Sequence, residues 1–136
     1  MTSNDTETRS VLVERHMAHP PAKVWRALTQ PHLIAEWLMK SDFLLELGHR
    51  FQFSEDWGSI DCEVTAIEPN KSLAYRWDAF GLESVVTWTL TESGTGTHLR
   101  MEQAGFRKDQ EQAFQGAQQA WPQYLSALEQ LLEGLD

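Results

Sequence analysis

Acid–base chemistry in a small domain needs a proton-carrying side chain taken out of water and aimed at a substrate. Glu14, Glu46, Asp61, Glu63 and Glu102 all fall in strand-like sequence, where an inward turn would raise the carboxyl pKa. An antiparallel sheet with one wet face keeps most strand charges on that face, so most of the five are expected outward. His16 and His19 stand near a strand end, which does not align them as a helix would, and no cysteine or further histidine completes a metal set. His32, His49 and His98 read as surface or turn residues. Cys62 lies mid-strand and Gly-x-Ser-x-Gly is absent, so no activated nucleophile is marked. Arg15 is the open case, because Val11, Val13, Arg15 and Met17 share one strand face. If that face is the inner one, the guanidinium needs an internal carboxylate or the acid group of a ligand.

Aromatic residues carry the stronger signal. Trp25, Trp37, Phe51, Phe53, Trp57, Tyr75, Trp77, Trp88, Phe114, Trp121 and Tyr124 are many rings for one small domain. Ligand cavities are mostly apolar and aromatic with a few placed polar groups, so such a set can line a pocket; equally, it can fill the space between a helix and a sheet. Trp37, Phe53, Trp77, Phe114 and Trp121 are the residues expected to wall a cavity.

The elements that would position these rings are legible from periodicity and turn chemistry. Val11 to Ala18 reads as a strand. Pro20-Pro21 and Pro31 then start two short helices, since proline at the first helical position gives up only an amide that has no helical partner. Val24, Trp25 and Leu28 fall on one side of the first, and Leu33, Ile34 and Trp37 on one side of the second, which suggests a two-helix lid. Six further strands are expected near 42–47, 50–55, 59–68, 72–78, 83–91 and 97–104, separated by Gly48, Gly58, Pro69-Asn70, Gly81 and Gly94-Thr95-Gly96. Alternation puts Leu73, Tyr75, Trp77, Val86, Trp88, Leu90, Leu99 and Met101 on the inner face, with Arg76, Thr87 and Arg100 outside. Phe114, Ala117, Trp121, Leu125, Leu128 and Leu132 recur at helical spacing after a capping box expected from Asp109 and Gln112, so a long helix covers that face. Pro122 predicts a kink near Ala120 to Trp121, and with it space above the sheet.

Bulk properties narrow the function. With 136 residues the chain suits one domain over 11–136, preceded by a mobile tail over 1–10. Twenty acidic against 11 basic residues give a formal charge of −9, which disfavours nucleic acid or an anionic bilayer as partner. No apolar run reaches membrane-spanning length; one cysteine cannot close an internal disulfide; and the polar first ten residues lack a signal pattern, so a cytoplasmic protein is expected. No cofactor or metal motif is present, and a homodimer or a protein partner stays open.

Val24-Trp25-Arg26-Ala27-Leu28-Thr29, Pro31 to Trp37, Val64-x-x-Ile67-Glu68-Pro69-x-x-x-Leu73-x-Tyr75-x-Trp77 and Gly96-Thr97-His98-Leu99 resemble the family named for homologues of the activator of heat-shock-protein ATPase. That family lies in the START-like (SRPBCC), birch-pollen-allergen-like superfamily. The resemblance covers nearly all of residues 10–133 and implies an α+β helix-grip fold: a curved seven-stranded antiparallel sheet around a long C-terminal helix, with two short helices after the first strand. The chain departs from the family at Ala120-Trp121-Pro122, where Gly-Trp is common. The superfamily includes lipid and sterol carriers, polyketide cyclases and ring-hydroxylase subunits. The resemblance therefore implies a binder of a lipid-like or aromatic small molecule, with a polyketide cyclase or aromatase-type enzyme and a chaperone-associated interaction module as alternatives.

Overall fold

Two prolines set where the chain leaves its first strand and where it turns again. In the computed structural model, which describes residues 8–135, β1 (Thr8–Met17) is followed by α1 (Pro21–Thr29) and α2 (Pro31–Trp37). Each helix has proline at its start, where the missing amide costs no helical hydrogen bond. Then come β2 (Lys40–Ser41), β3 (Arg50–Glu55), β4 (Gly58–Glu68), β5 (Ser72–Ala79), β6 (Leu82–Ser93) and β7 (Gly96–Arg107). A one-turn 3-10 helix at Lys108–Gln110 leads into α3 (Glu111–Gly134). The strands form one antiparallel sheet in the order β1-β7-β6-β5-β4-β3-β2.

The alternation read from the sequence holds: Leu73, Tyr75, Trp77, Val86, Trp88, Leu90, Leu99 and Met101 are buried, while Arg76 and Arg100 are exposed. Phe114, Trp121, Leu125, Leu128 and Leu132 of α3 are buried against that face. A sheet with one apolar face and a helix with one apolar stripe bury both by packing together, and this is the helix-grip arrangement.

Three expectations are corrected. The second strand is Lys40–Ser41, paired with Ser54 and Phe53, rather than 42–47. Phe43 to Leu47 lacks a period of two and folds as a loop: Phe43 points into the core, and Leu44, Leu45 and Leu47 face solvent. β1 starts at Thr8, so the expected tail loses three residues and its remainder lies outside the described residues. The capping box is shifted, since the Arg107 amide donates to Gln110 Oε1 at 2.8 Å and Asp109 instead pairs with Arg107 Nε. Pro122 lies inside α3 without ending it.

The inner face of β1 contains Val11, Val13, Arg15 and Met17, which answers the question Arg15 posed. Its guanidinium donates to Ser126 Oγ at 2.9 Å and to the Pro122 carbonyl at 3.4 Å, and lies 3.6 Å from Glu129 Oε1. The required anion is a carboxylate on α3.

Candidate functional site

Between the first half of α3 and the β4–β7 part of the sheet lies an open cavity of about 430 Å³. That volume is within the range that holds a small organic molecule. Trp77, Trp121, Tyr124, Ile60, Leu82 and Phe106 supply ring and aliphatic walls; Ala113, Gly116, Ala117 and Ala120 give α3 a low profile on that side. Small residues on successive turns of α3 keep side chains out of the space, which large residues there would fill.

Trp77 and Trp121 touch at 5.2 Å between ring centroids, and Trp121 also meets Trp88 at 5.8 Å and Tyr124 at 5.5 Å. The Trp121 indole donates to Gln103 Oε1 at 2.7 Å, Gln103 Nε2 donates to Ser84 Oγ at 3.0 Å, and Ser84 Oγ donates to the Trp77 carbonyl at 2.7 Å. Gln103 and Ser84 are both buried, so this chain of bonds satisfies polar atoms that would otherwise be costly beneath an apolar wall. The Tyr124 hydroxyl is pushed above the usual phenol pKa, first by burial and then by the Glu55 carboxylate.

Two aromatics stand at the mouth in the open. Phe80 is 82 % exposed and Trp57 55 % exposed, at the tips of the β5–β6 and β3–β4 hairpins, with ring centroids 6.0 Å apart. Ala79 pairs with Leu82, so Phe80-Gly81 is a two-residue loop, and both of its residues have positive φ, 52° and 85°. That pattern is the type I′ turn, in which asparagine or aspartate is favoured at the first position and a bulky ring is strained. A large apolar side chain in this conformation and largely in water makes Phe80 a candidate contact of the site.

The five residues named from the sequence divide. Trp77 and Trp121 line the cavity. Trp37 and Phe53 join them through ring contacts, Trp37 edge-on to Trp88 at 5.6 Å and Phe53 against Trp77 at 5.3 Å, but sit in the packed core behind the wall. Trp37 also ties the two short helices together by donating from Nε1 to the Ala27 carbonyl. Phe114 is set apart, against Phe106 and under the Arg9 guanidinium at 3.9 Å. The lid expectation is corrected too: α1 and α2 contribute no residue to the cavity wall, and the mouth is framed by hairpin tips and α3.

Sequence reasoning missed Gln103 and Phe80 as wall residues, and it placed Trp57 and Tyr124 in the aromatic set without counting them among the five expected walls. Gln103 was within reach, since it continues the inward parity of Leu99 and Met101. Phe80 carried a signal as well: a phenylalanine directly before the glycine of a two-residue hairpin loop.

None of Glu14, Glu46, Asp61, Glu63 or Glu102 lines the cavity. Glu14 meets His98 at 2.7 Å, Asp61 accepts from Gln52, and Glu63 lies near Arg50. Cys62 is buried, its thiol pKa raised by burial first and the nearby Asp78 and Asp61 next. Among the described residues no group of three or more His, Cys, Asp or Glu side chains is placed to hold a metal ion.

A sheet gripping one long helix, with an aromatic cavity between them, defines the START-like (SRPBCC) class. Within it the chain belongs to the family described as activator of Hsp90 ATPase homolog 1-like protein, which matches residues 18–133. It is similar to the structure of protein MLL2253 from Mesorhizobium loti, at 60% identity and a TM-score of 0.92 over 94% of this chain and 99% of that one. DynU16, described as a putative protein in the dynemicin biosynthetic locus, is 27% identical with a TM-score of 0.82; the match covers 91% of this chain and 47% of that one. CalU16 from Micromonospora echinospora is 26% identical with a TM-score of 0.82, over 93% of this chain and 77% of that one. No curated protein matches the chain.

Proposed function

We propose that the protein binds an aromatic or lipid-like small molecule in the cavity between α3 and the sheet. The observation that carries this reading is the strained, water-exposed Phe80 beside Trp57 at the mouth of an aromatic-walled space of about 430 Å³. A floor of buried indole rings and an exposed pair of rings at the mouth suit a flat molecule that is partly buried and partly covered. The place of DynU16 in a biosynthetic locus agrees with a small-molecule role for a relative of this fold. The reading favours binding over catalysis, because the one carboxylate of the wall, Asp109, lies on its exposed rim.

Native mass spectrometry of freshly purified protein tests this directly. The expected result is a co-purifying adduct of small-molecule mass that disappears in Trp121→Ala and weakens in Phe80→Asn. An adduct unaffected by both would place the ligand elsewhere.

A protein-interaction role is the second reading, favoured by Leu44, Leu45 and Leu47, which are exposed together in the loop between β2 and β3. Substituting all three by serine would then abolish association with a partner while leaving ligand binding intact.

A further inference from the structure

The chemistry of the cavity floor selects among small molecules more narrowly than its shape does. Gln103 is 2 % exposed, lines the cavity, and is an amide with two hydrogens and two acceptor lone pairs. Trp121 Nε1 takes one lone pair of its Oε1, and Ser84 Oγ takes one hydrogen of its Nε2. These two bonds leave one amide hydrogen and one Oε1 lone pair uncommitted on a residue that borders the cavity. Around it the wall holds no lysine or arginine, and its one formally charged side chain is Asp109 at the rim. A carboxylate entering this space would lose its hydration without gaining a cation, whereas the smaller desolvation cost of an uncharged oxygen can be offset by one hydrogen bond.

We infer that Gln103 is the specificity-determining residue of the cavity, and that it selects an uncharged planar aromatic ligand carrying a hydroxyl or carbonyl oxygen, rejecting both the bare hydrocarbon and the corresponding acid. The oxygen faces Gln103 beside the Trp121 ring, and the outer edge of the ring system lies against Trp57 and Phe80. A hydroxyl can donate to Oε1 or accept from Nε2, and a carbonyl accepts from Nε2, so both oxygen types are read by the same amide. This inference rests on the small-molecule reading above and specifies the ligand class for the same cavity.

Three probes with one ring frame separate the possibilities: naphthalene, 2-naphthol and 2-naphthoate, titrated by calorimetry near neutral pH. The expected order is 2-naphthol about tenfold tighter than naphthalene, the factor one neutral hydrogen bond supplies, with 2-naphthoate weakest despite its two oxygens. In ¹H–¹⁵N spectra the Gln103 side-chain amide signals should shift with 2-naphthol and stay nearly in place with naphthalene. A purely structural Gln103 would not distinguish the two. Gln103→Met should bring the two affinities together; if that variant does not fold, the wild-type series and the amide signals still decide. Equal affinity for naphthalene and 2-naphthol, or tightest binding of 2-naphthoate, overturns the inference while leaving a small-molecule site standing. Absence of binding by all three overturns the inference and counts against the small-molecule reading as well.

Discussion

At the scale of single residues, Phe80 sets stability against function most openly. Its positive φ of 52° in a two-residue loop is a conformation asparagine adopts with little strain and phenylalanine does not. Phe80→Asn is therefore expected to raise unfolding stability by roughly 0.5–1 kcal/mol in denaturant melts while weakening ligand binding several-fold, the trade-off that strained functional residues produce. A variant that is both less stable and an equally good binder would remove Phe80 from the site. Trp121 serves both wall and core: it is 2 % exposed, touches three rings and donates to Gln103. Trp121→Ala should cost about 3–5 kcal/mol of stability, and Trp121→Phe about 1–2 kcal/mol because Gln103 Oε1 loses its donor; equilibrium unfolding of both checks the ordering. Trp77 and Trp121 were legible as wall residues because strand parity and helical spacing both pointed them inward. Trp37 and Phe53 carried the same signals, yet they are packed behind the wall. Periodicity tells inside from outside but does not tell which part of the inside is left unfilled.

At the scale of elements, Arg15 straps β1 to α3 beside the proline that was expected to bend the helix. It donates to the Pro122 carbonyl and to Ser126, and reaches Glu129 one turn further on. Arg15→Met keeps the apolar stem and removes the polar contacts, so a loss of about 1–2 kcal/mol in thermal or denaturant unfolding is expected, partial exposure limiting the effect. The sequence showed that Arg15 needed an anion if it faced inward, but its partner lies more than 100 residues away, at Glu129, beyond what local pattern can reveal. At the junction of β1 and α1, His19 Nδ1 lies 3.1 Å from Lys23 Nζ, an arrangement suited to a neutral imidazole accepting from the ammonium. Burial, and then the Lys23 charge, lower the His19 pKa below its usual value. The unfolded state then binds the proton more readily than the folded one. Stability from this group is thus present above the ordinary histidine pKa of about 6.5 and is lost as pH falls from there through the lowered value. His19→Gln should flatten the pH dependence of unfolding between about pH 7 and 5; an unchanged slope would show that His19 does not contribute.

At the scale of the whole molecule, the fold was legible because each connection between long strands carries its own turn chemistry and each inner face alternates cleanly. Pro69-Asn70, Gly81 and Gly94-Thr95-Gly96, read as turns in the sequence, all mark hairpins in the structure. The segment after α2 was not legible, since Phe43-Leu44-Leu45-Glu46-Leu47 has the composition of a strand without its period. The cavity itself was only half legible: its indole walls could be named, but the space exists because Ala113, Gly116, Ala117 and Ala120 leave α3 narrow there, and the two short helices lie away from it. The small-molecule reading predicts that a suitable ligand will affect tryptophan emission and folding stability together, because Trp57, Trp77 and Trp121 line the space and a ligand held only by the folded state shifts unfolding by mass action. The most direct measurement is a parallel titration of intrinsic fluorescence and thermal unfolding against uncharged aromatic compounds and lipids. The account predicts that at least one compound quenches emission and raises the midpoint with the same concentration dependence, and that Trp121→Ala abolishes both. Flat fluorescence and an unmoved midpoint across the whole panel would contradict it and favour the exposed leucine loop, and with it a protein partner, as the working surface.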